Sequence, residues 1–456
     1  MSTNRPNVIV FFTDQQRADT TGVHGSKLGL TPNFDRLATQ GTHLANAFTC
    51  QPVCAPARSC LQTGLHATAT GVWRNGQTMK PGLRTLAHHF NDAGYHTAYM
   101  GKWHLAHPGR GAVPREMQGG YQSWLAANML EFISDAYQTR LWDDDGRAHD
   151  LPGYRVDAIT DAAIRYIDQR SRAETPFFLF VSYIEPHHQN HRDDYPAPTG
   201  YEERYADAAL PPDLRALTGS APQHWPGYCG MIKRLDEALG RMLDALKSLG
   251  QLDNTVVLYT SDHGNHFKTR NREYKRSCHD ASIRIPAAIS GPGFNGGGRL
   301  EQLVSLVDLP ATLLDAAGIA PPAEMHGRSV LPLAQKTATD WRDNMFVQIS
   351  EDITGRAIRT QRWKYSVRSP ATTADGRPLI AAAAETYADE YLYDLMADPW
   401  ELTNLAGLDS YREITADLRR RLSARMVEAG ETAPQFIDAP VRGGGQRVPE
   451  QPPPAS

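Results

Sequence analysis

The sequence predicts an α/β fold: a large, mostly parallel central sheet flanked by helices, with a smaller C-terminal α+β subdomain. Three observations carry this expectation. Asn7–Phe12 (NVIVFF) is a continuous apolar, β-branched and aromatic run, and Tyr95–Met100, Phe177–Tyr183 (FFLFVSY) and Thr255–Thr260 (TVVLYT) read as further strands. Such runs suit strands buried on both faces of a parallel sheet. Helical-period segments separate them, and strands that alternate with helices build a sheet covered on both sides. Beyond about residue 340 the pattern changes to shorter, alternating strands and one last helix.

The elements follow in order. After NVIVFF, Thr31-Pro32 offers an N-cap and a first-turn proline. Phe34, Leu37 and Ala38 follow at helical spacing, and Gly41 closes the helix. Tyr95–Met100 is the second strand and Phe177–Tyr183 the third. Before the fourth, Met231, Ile232, Leu235, Leu239, Met242, Leu243 and Leu246 form one face of an amphipathic helix that Gly250 stops. Past residue 340, AIRTQRWKYSV and ETYADEYLYDL read as strands and Thr415–Glu428 as a helix. The tail, with its GGG and PPP, reads as extended or disordered. The expected division is a catalytic α/β domain over 1–340, a subdomain with a small antiparallel sheet and a helix over 341–438, and a tail over 439–456.

Composition narrows the partners. A net charge of −4 gives no basis for nucleic acid or an anionic membrane as partner, so an anionic substrate needs a local basic site. No run approaches the roughly 18 apolar residues of a spanning helix. MSTNRPNVIVFF lacks the plan of a signal peptide. The expected location is cytoplasmic as written, and periplasmic or secreted if a signal has been trimmed. Five cysteines make no disulfide framework. Cys60 and Cys229 read as small buried apolar residues. Cys50, Cys54 and Cys60 are spaced C-x3-C-x5-C, without the paired C-x2-C hooks of the usual zinc motifs.

Each buried strand ends in polar residues: Asp14-Gln15, Lys102-Trp103-His104, Pro186-His187-His188 and Asp262-His263-Gly264. Taken singly, each has a plain reading as a cap, a turn, a surface lysine or a loop histidine. Ligands of open parallel sheets bind outside the carboxyl ends of the strands, so the four clusters share one rim. Carboxylates gathered there need a divalent cation, and an oxygen-rich donor set favours a hard one such as calcium or magnesium.

These residues and the stretch TCQPVCAPARSCLQTG resemble the type I, formylglycine-dependent sulfatases of the alkaline-phosphatase-like superfamily. Cys54-Ala55-Pro56-Ala57-Arg58 fits the C-x-P-x-R core of that family, and Leu61-Gln62-Thr63-Gly64 continues it, with Gln62 where an apolar residue is usual. GYHTAYMGKWH, residues 94–104, fits the second signature. TPNFDRLATQGTHLANAF resembles the helix after the first metal-binding turn, and Tyr393-Asp394-Leu395 through Leu405 resembles the C-terminal LYDL stretch.

The resemblance implies that Cys54 is oxidised to Cα-formylglycine by a formylglycine-generating enzyme and hydrated to a geminal diol. One hydroxyl of a diol attacks sulfur, and the other collapses to the aldehyde and expels sulfate, where a simple nucleophile would stay sulfated. The residues leave open a cysteine nucleophile with a distant histidine base. Pro56 in a first helical turn sets residue 54 at the helix's positive end. The implied metal ligands are Asp14, residue 54, Asp262 and His263, with Gln15 as a further ligand where relatives carry aspartate. Calcium is the expected ion, with magnesium and manganese as alternatives. Arg58 would bind the diol and the metal-side carboxylates, and Lys102 and Lys275 the substrate oxygens. His104 would act near the diol and His187 at the leaving oxygen, since histidine titrates near neutrality. Asn75, His188 and His279 are expected substrate contacts, with His191 a weaker one; His279 stands where tyrosine is usual.

The function implied is hydrolysis of a sulfate monoester on a sulfated carbohydrate or small molecule. The alternatives are a phosphonate monoester or phosphodiester hydrolase with the same apparatus, which Gln15 also suits, and a silent metal-binding relative.

Overall fold

The computed structural model describes residues 5–107 and 109–442. Ten strands form the main sheet: β1 (Asn7–Thr13), β2 (Thr42–Phe48), β3 (His96–Lys102), β4 (Ser123–Ala127), β5 (Thr139–Asp143), β6 (Ala148–Leu151), β7 (Phe177–Ser182), β8 (Thr255–Ser261), β9 (Ala287–Ser290) and β10 (Gly298–Ser305). Their order is β10-β2-β9-β8-β1-β7-β3-β4-β5-β6. β8, β1, β7, β3 and β4 run parallel, while β9 and the β5–β6 hairpin run antiparallel beside them.

Side chains alternate along β1, which explains its unbroken apolar run. Val8, Val10 and Phe12 enter one core cluster, and Ile9 and Phe11 the cluster on the opposite face. Helices α1 (Pro32–Gln40), α2 (Cys54–Thr63), α3 (Arg155–Ser171) and α4 (Ala221–Ser248) cover these faces. A second, five-stranded sheet follows: β11 (Asn344–Ile349), β12 (Gly355–Thr360), β13 (Trp363–Arg368), β14 (Thr386–Asp394) and β15 (Gln435–Ile437). Helix α5 (Arg412–Glu428) buries Leu418, Leu422 and Met426 against it.

Four details depart from the sequence reading. THLANAF is strand β2, hydrogen-bonded to β10, rather than a continuation of α1. Thr31 does not cap α1 with its side chain. Asp236 of α4 does so through space, accepting the backbone N–H of Asn33 at 3.1 Å and of Phe34 at 2.8 Å. α4 starts at Ala221, ten residues before its apolar face becomes periodic. Its early turns hold Pro226 and Gly227 because the loop at Tyr195 crosses there, and a Cβ on Gly227 would lie 2.3 Å from the Tyr195 carbonyl oxygen. AIRTQRWKYSV divides into β12 and β13 around a two-residue turn. Most of the GGG and PPP tail lies outside the described residues. Among the described residues, no helix is long and apolar enough to cross a membrane.

Candidate active site

The adjacent parallel strands β8, β1, β7 and β3 bring their carboxyl ends to one rim. β1 delivers Asp14 and Gln15, β8 delivers Asp262 and His263, and β3 ends on Lys102 with His104 just beyond. His187 follows β7 across Glu185, whose carboxylate is 2.8 Å from Arg155 in a wholly buried pair. β3 approaches β7 so closely at Gly101 that a Cβ there would sit 1.9 Å from the Ser182 carbonyl oxygen. Glycine, at φ +100°, is what permits Lys102 to turn into the rim. Opposite, α2 begins at Cys54, so its unpaired N–H groups and positive end lie against the same point.

The side chains form one buried network. Arg58 donates to Asp14 Oδ2 at 2.8 Å, to Ser182 Oγ at 2.7 Å and to the Lys102 carbonyl at 3.0 Å. Lys102 Nζ is 2.8 Å from Asp14 Oδ2 and 3.1 Å from Glu131 Oε1. Lys275 Nζ is 2.8 Å from Cys54 Sγ and 3.1 Å from His187 Nε2. His187 donates from Nδ1 to the His188 carbonyl at 2.6 Å, which leaves Nε2 to accept from Lys275. Cys54 Sγ is 3.3 Å from His263 Nε2 and 3.5 Å from Asp14 Oδ1.

Charge follows from this packing. Burial and Cys54 oppose ionisation of Asp14, yet the Lys102 and Arg58 cations hold its carboxyl below the usual range. Burial and the charge of Asp14 push Asp262 up to about 7. Burial opposes the thiolate of Cys54, but Lys102 and Lys275 bring the thiol well below its ordinary value. Burial and then Lys275 lower His187, which keeps its imidazole neutral.

The donor set is one that can hold a metal ion. Asp14, Cys54, Asp262 and His263 are buried and present ligand atoms within 4.8 Å of one another. Gln15 Oε1 is a buried oxygen without a hydrogen-bond partner, and Asp262 Oδ2 makes no hydrogen bond, with Arg58 Nη2 3.5 Å away. The Gln15 amide nitrogen donates to Tyr195 Oη at 3.1 Å, which Asn265 Nδ2 also reaches at 2.9 Å. Orphaned oxygens next to mutually repelling carboxylates are what an oxygen-seeking ion satisfies.

The remaining expected contacts scatter more. Asn75 Oδ1 accepts the Ala55 N–H at 3.1 Å, beside residue 54. His188 is buried, its ring stacked on His187 at 4.3 Å. His191 is exposed beside Asp135. His279 is turned to the second sheet, with Nε2 3.1 Å from Tyr393 Oη and Nδ1 3.2 Å from Ser277 Oγ, so both ring nitrogens serve the packing of that loop. Three groups escaped the sequence reading: Glu131 behind Lys102, Ser182 under Arg58, and Glu351. Glu351 accepts from the Asn75 backbone and pairs with Arg276 at 2.6 Å. Ser182, the last residue of an apolar strand, was the one with a sequence signal.

A family model described as "Sulfatase" matches residues 6–319, and one described as "N-sulphoglucosamine sulphohydrolase, C-terminal" matches residues 272–428. The chain is 31% identical to the "Uncharacterized sulfatase YidJ" of Escherichia coli, over 93% of this chain and 87% of that protein. It is 26% identical to the N-acetylglucosamine-6-O-sulfatase of Bacteroides thetaiotaomicron, over 98% and 91%. A structure solved with its substrate D-glucosamine-2-N,6-O-disulfate superposes with a TM-score of 0.75 at 24% identity, over 93% of this chain and 98% of that one. The phosphonate monoester hydrolase of Agrobacterium radiobacter superposes at 0.68 and 23% identity, over 93% and 96%. These last two likenesses show the fold.

Proposed function

The chain belongs to the sulfatase family of sulfuric ester hydrolases, and on that premise we propose that it cleaves a sulfate monoester carried on a carbohydrate. In this reading Cys54 is converted to Cα-formylglycine, and calcium is held by Asp14, Gln15, residue 54, Asp262 and His263. The observation that carries the proposal is the buried cluster of Asp14, Cys54, Asp262 and His263 at the positive end of α2, with Arg58, Lys102 and Lys275 around it. The Cys54 sulfur stands where an oxygen of the converted, hydrated residue would lie.

When bound, the cation supplies Lewis-acid polarisation of the sulfate oxygens and lowers the charge felt by the attacking oxygen. The chain's own residues do the rest. Lys102 and Lys275 grip the equatorial oxygens of the transferring group, where negative charge must be stabilised. Arg58, fixed by Asp14 and Ser182, holds the side of residue 54 away from substrate. His104 takes the proton from residue 54. His187, neutral and hydrogen-bonded to Lys275, faces the leaving oxygen, and this pair supplies its proton. The sugar assignment is supported by the N-acetylglucosamine-6-O-sulfatase relative, which aligns along nearly the whole chain.

Gln15 favours a second reading, phosphonate monoester or phosphodiester hydrolysis, because an amide in place of a carboxylate leaves the cation site with one negative charge fewer. Nitrophenyl sulfate, phosphate and phosphonate esters separate the two, using protein produced together with a formylglycine-generating enzyme. Sulfate turnover should lead. Phosphonate turnover higher by orders of magnitude would replace the proposal with the second reading, and no turnover of any ester would favour a silent metal-binding protein.

A further inference from the structure

Glu131 belongs to none of the roles assigned above. It lies in the short helix Leu130–Ile133, just past β4, the neighbour of β3. Its side chain is 3% exposed, and carboxylates at such depth are rare unless paired. Oε1 faces two catalytic candidates at once, Lys102 Nζ at 3.1 Å and His104 Nδ1 at 3.7 Å. Glu131 Oε2 and His104 Nδ1 are both buried without a hydrogen-bond partner. His104 also lies beside the Cys54 side chain. With Nδ1 beside Glu131, Nε2 is the ring nitrogen on the opposite side.

The surroundings hold this arrangement from both sides. Gln189 Nε2 donates to the Glu131 carbonyl at 2.7 Å and to the Ser134 carbonyl at 2.9 Å, which pins the short helix. His104 occupies the left-handed region at φ +64°, a conformation that costs a non-glycine residue roughly 1 kcal/mol or more and that packing must maintain.

We infer that Glu131 is a positioning residue: it keeps the hydrogen of His104 on Nδ1, so that the Nε2 lone pair faces residue 54, and it holds Lys102 beside that ring. The physical reason is complementarity. A neutral imidazole has one donor and one acceptor nitrogen, and a carboxylate can only accept, so the nitrogen facing Glu131 must carry the hydrogen. An imidazole acting on a hydroxyl of residue 54 needs the opposite nitrogen bare. The separation of 3.7 Å is long for a hydrogen bond, as hydrogen bonds in empty active sites often are. The catalytic consequence rests on the sulfatase reading; the tautomer does not.

The test uses the full chain and the variants E131A and E131Q. Nitrogen-15 spectra of the histidine side chains, with His104 assigned by its loss in H104Q, should show a hydrogen on Nδ1 in the wild type. E131A should show a shift towards the Nε2–H form. On nitrophenyl sulfate, E131A should lower kcat by about 100-fold, at the upper end for a supporting shell, with KM changed less than about threefold. E131Q keeps an acceptor oxygen and should retain kcat within about tenfold of the wild type. A wild-type His104 with its hydrogen on Nε2, or an E131A enzyme with kcat within about threefold of the wild type, would overturn the inference. If E131A does not fold, the wild-type tautomer and E131Q decide it. A wild type that is inert toward every sulfate ester sinks the functional proposal instead, and the tautomer still tests Glu131.

Discussion

Lys102 is a buried cation between two buried carboxylates, and its removal has consequences that can be worked out in advance. In Lys102→Met the stem volume is kept and the charge lost. Asp14 Oδ2 retains Arg58 at 2.8 Å, but Glu131 loses its cationic partner at 3.1 Å, while His104 Nδ1 stands at 3.7 Å. Leaving one buried charge without its partner costs about 3–5 kcal/mol, and the surviving Arg58 contact places this variant near about 3. Glu131→Leu leaves Lys102 paired with Asp14 Oδ2 at 2.8 Å and should cost less, about 1–3 kcal/mol. The double variant replaces the pair by apolar side chains of similar size and should lie within about 1 kcal/mol of the wild type. Urea midpoints of chelator-treated protein, read with a common m-value, give the cycle. A coupling of several kcal/mol is expected. Single effects that add to within about 0.5 kcal/mol would refute the argument, because independent sites behave that way.

Other outcomes follow from the same packing. Asp236→Ala should destabilise by roughly 1–3 kcal/mol by stranding the Asn33 and Phe34 N–H groups at the start of α1, read as a lower urea midpoint. Thr31→Ala, whose hydroxyl makes no cap, should cost less. Burial pushes Glu390 up to about 7, so the folded chain binds a proton there that the unfolded chain has released. Its contribution to stability therefore falls as pH rises from about 4.5 to 7, by up to about 3 kcal/mol. Glu390→Gln should gain on the wild type across that window and stay level with it below; a gap independent of pH would contradict this. Burial and then His326 lower His66 to about 3, so that site should lose stability as pH falls from about 6.5 towards 3. A His66→Phe variant should show a flatter acid limb in the same melting series.

Much of this architecture was readable because it depends on local composition. A strand buried on both faces is mostly apolar, so β1, β3, β7 and β8 announced themselves. The polar residues at their ends marked the rim, since four such clusters at the carboxyl ends of parallel strands face one side. β2 did not, because His43 and Asn46 interrupt it. Those residues are buried through non-local partners, Asn46 donating to the Glu301 carbonyl at 2.8 Å. The cap of α1 was invisible for a similar reason: Asp236 lies 203 positions from Asn33. Glu131 and Glu351 gain their places only when separate elements meet, β4 beside β3 and the β11–β12 turn beside residue 75. His279 shows the converse, a polar residue in a motif region whose surroundings, Tyr393 and Ser277, give it a packing task.

The most direct test of the whole account is mass spectrometry of the peptide spanning residues 49–64, from protein produced with a formylglycine-generating enzyme, paired with sulfate ester turnover by the same sample before and after chelation. Residue 54 should carry the aldehyde, turnover should scale with the converted fraction, and chelation should abolish it. An intact Cys54 thiol in a sample that turns over at full rate, unaffected by the chelator, would contradict the account.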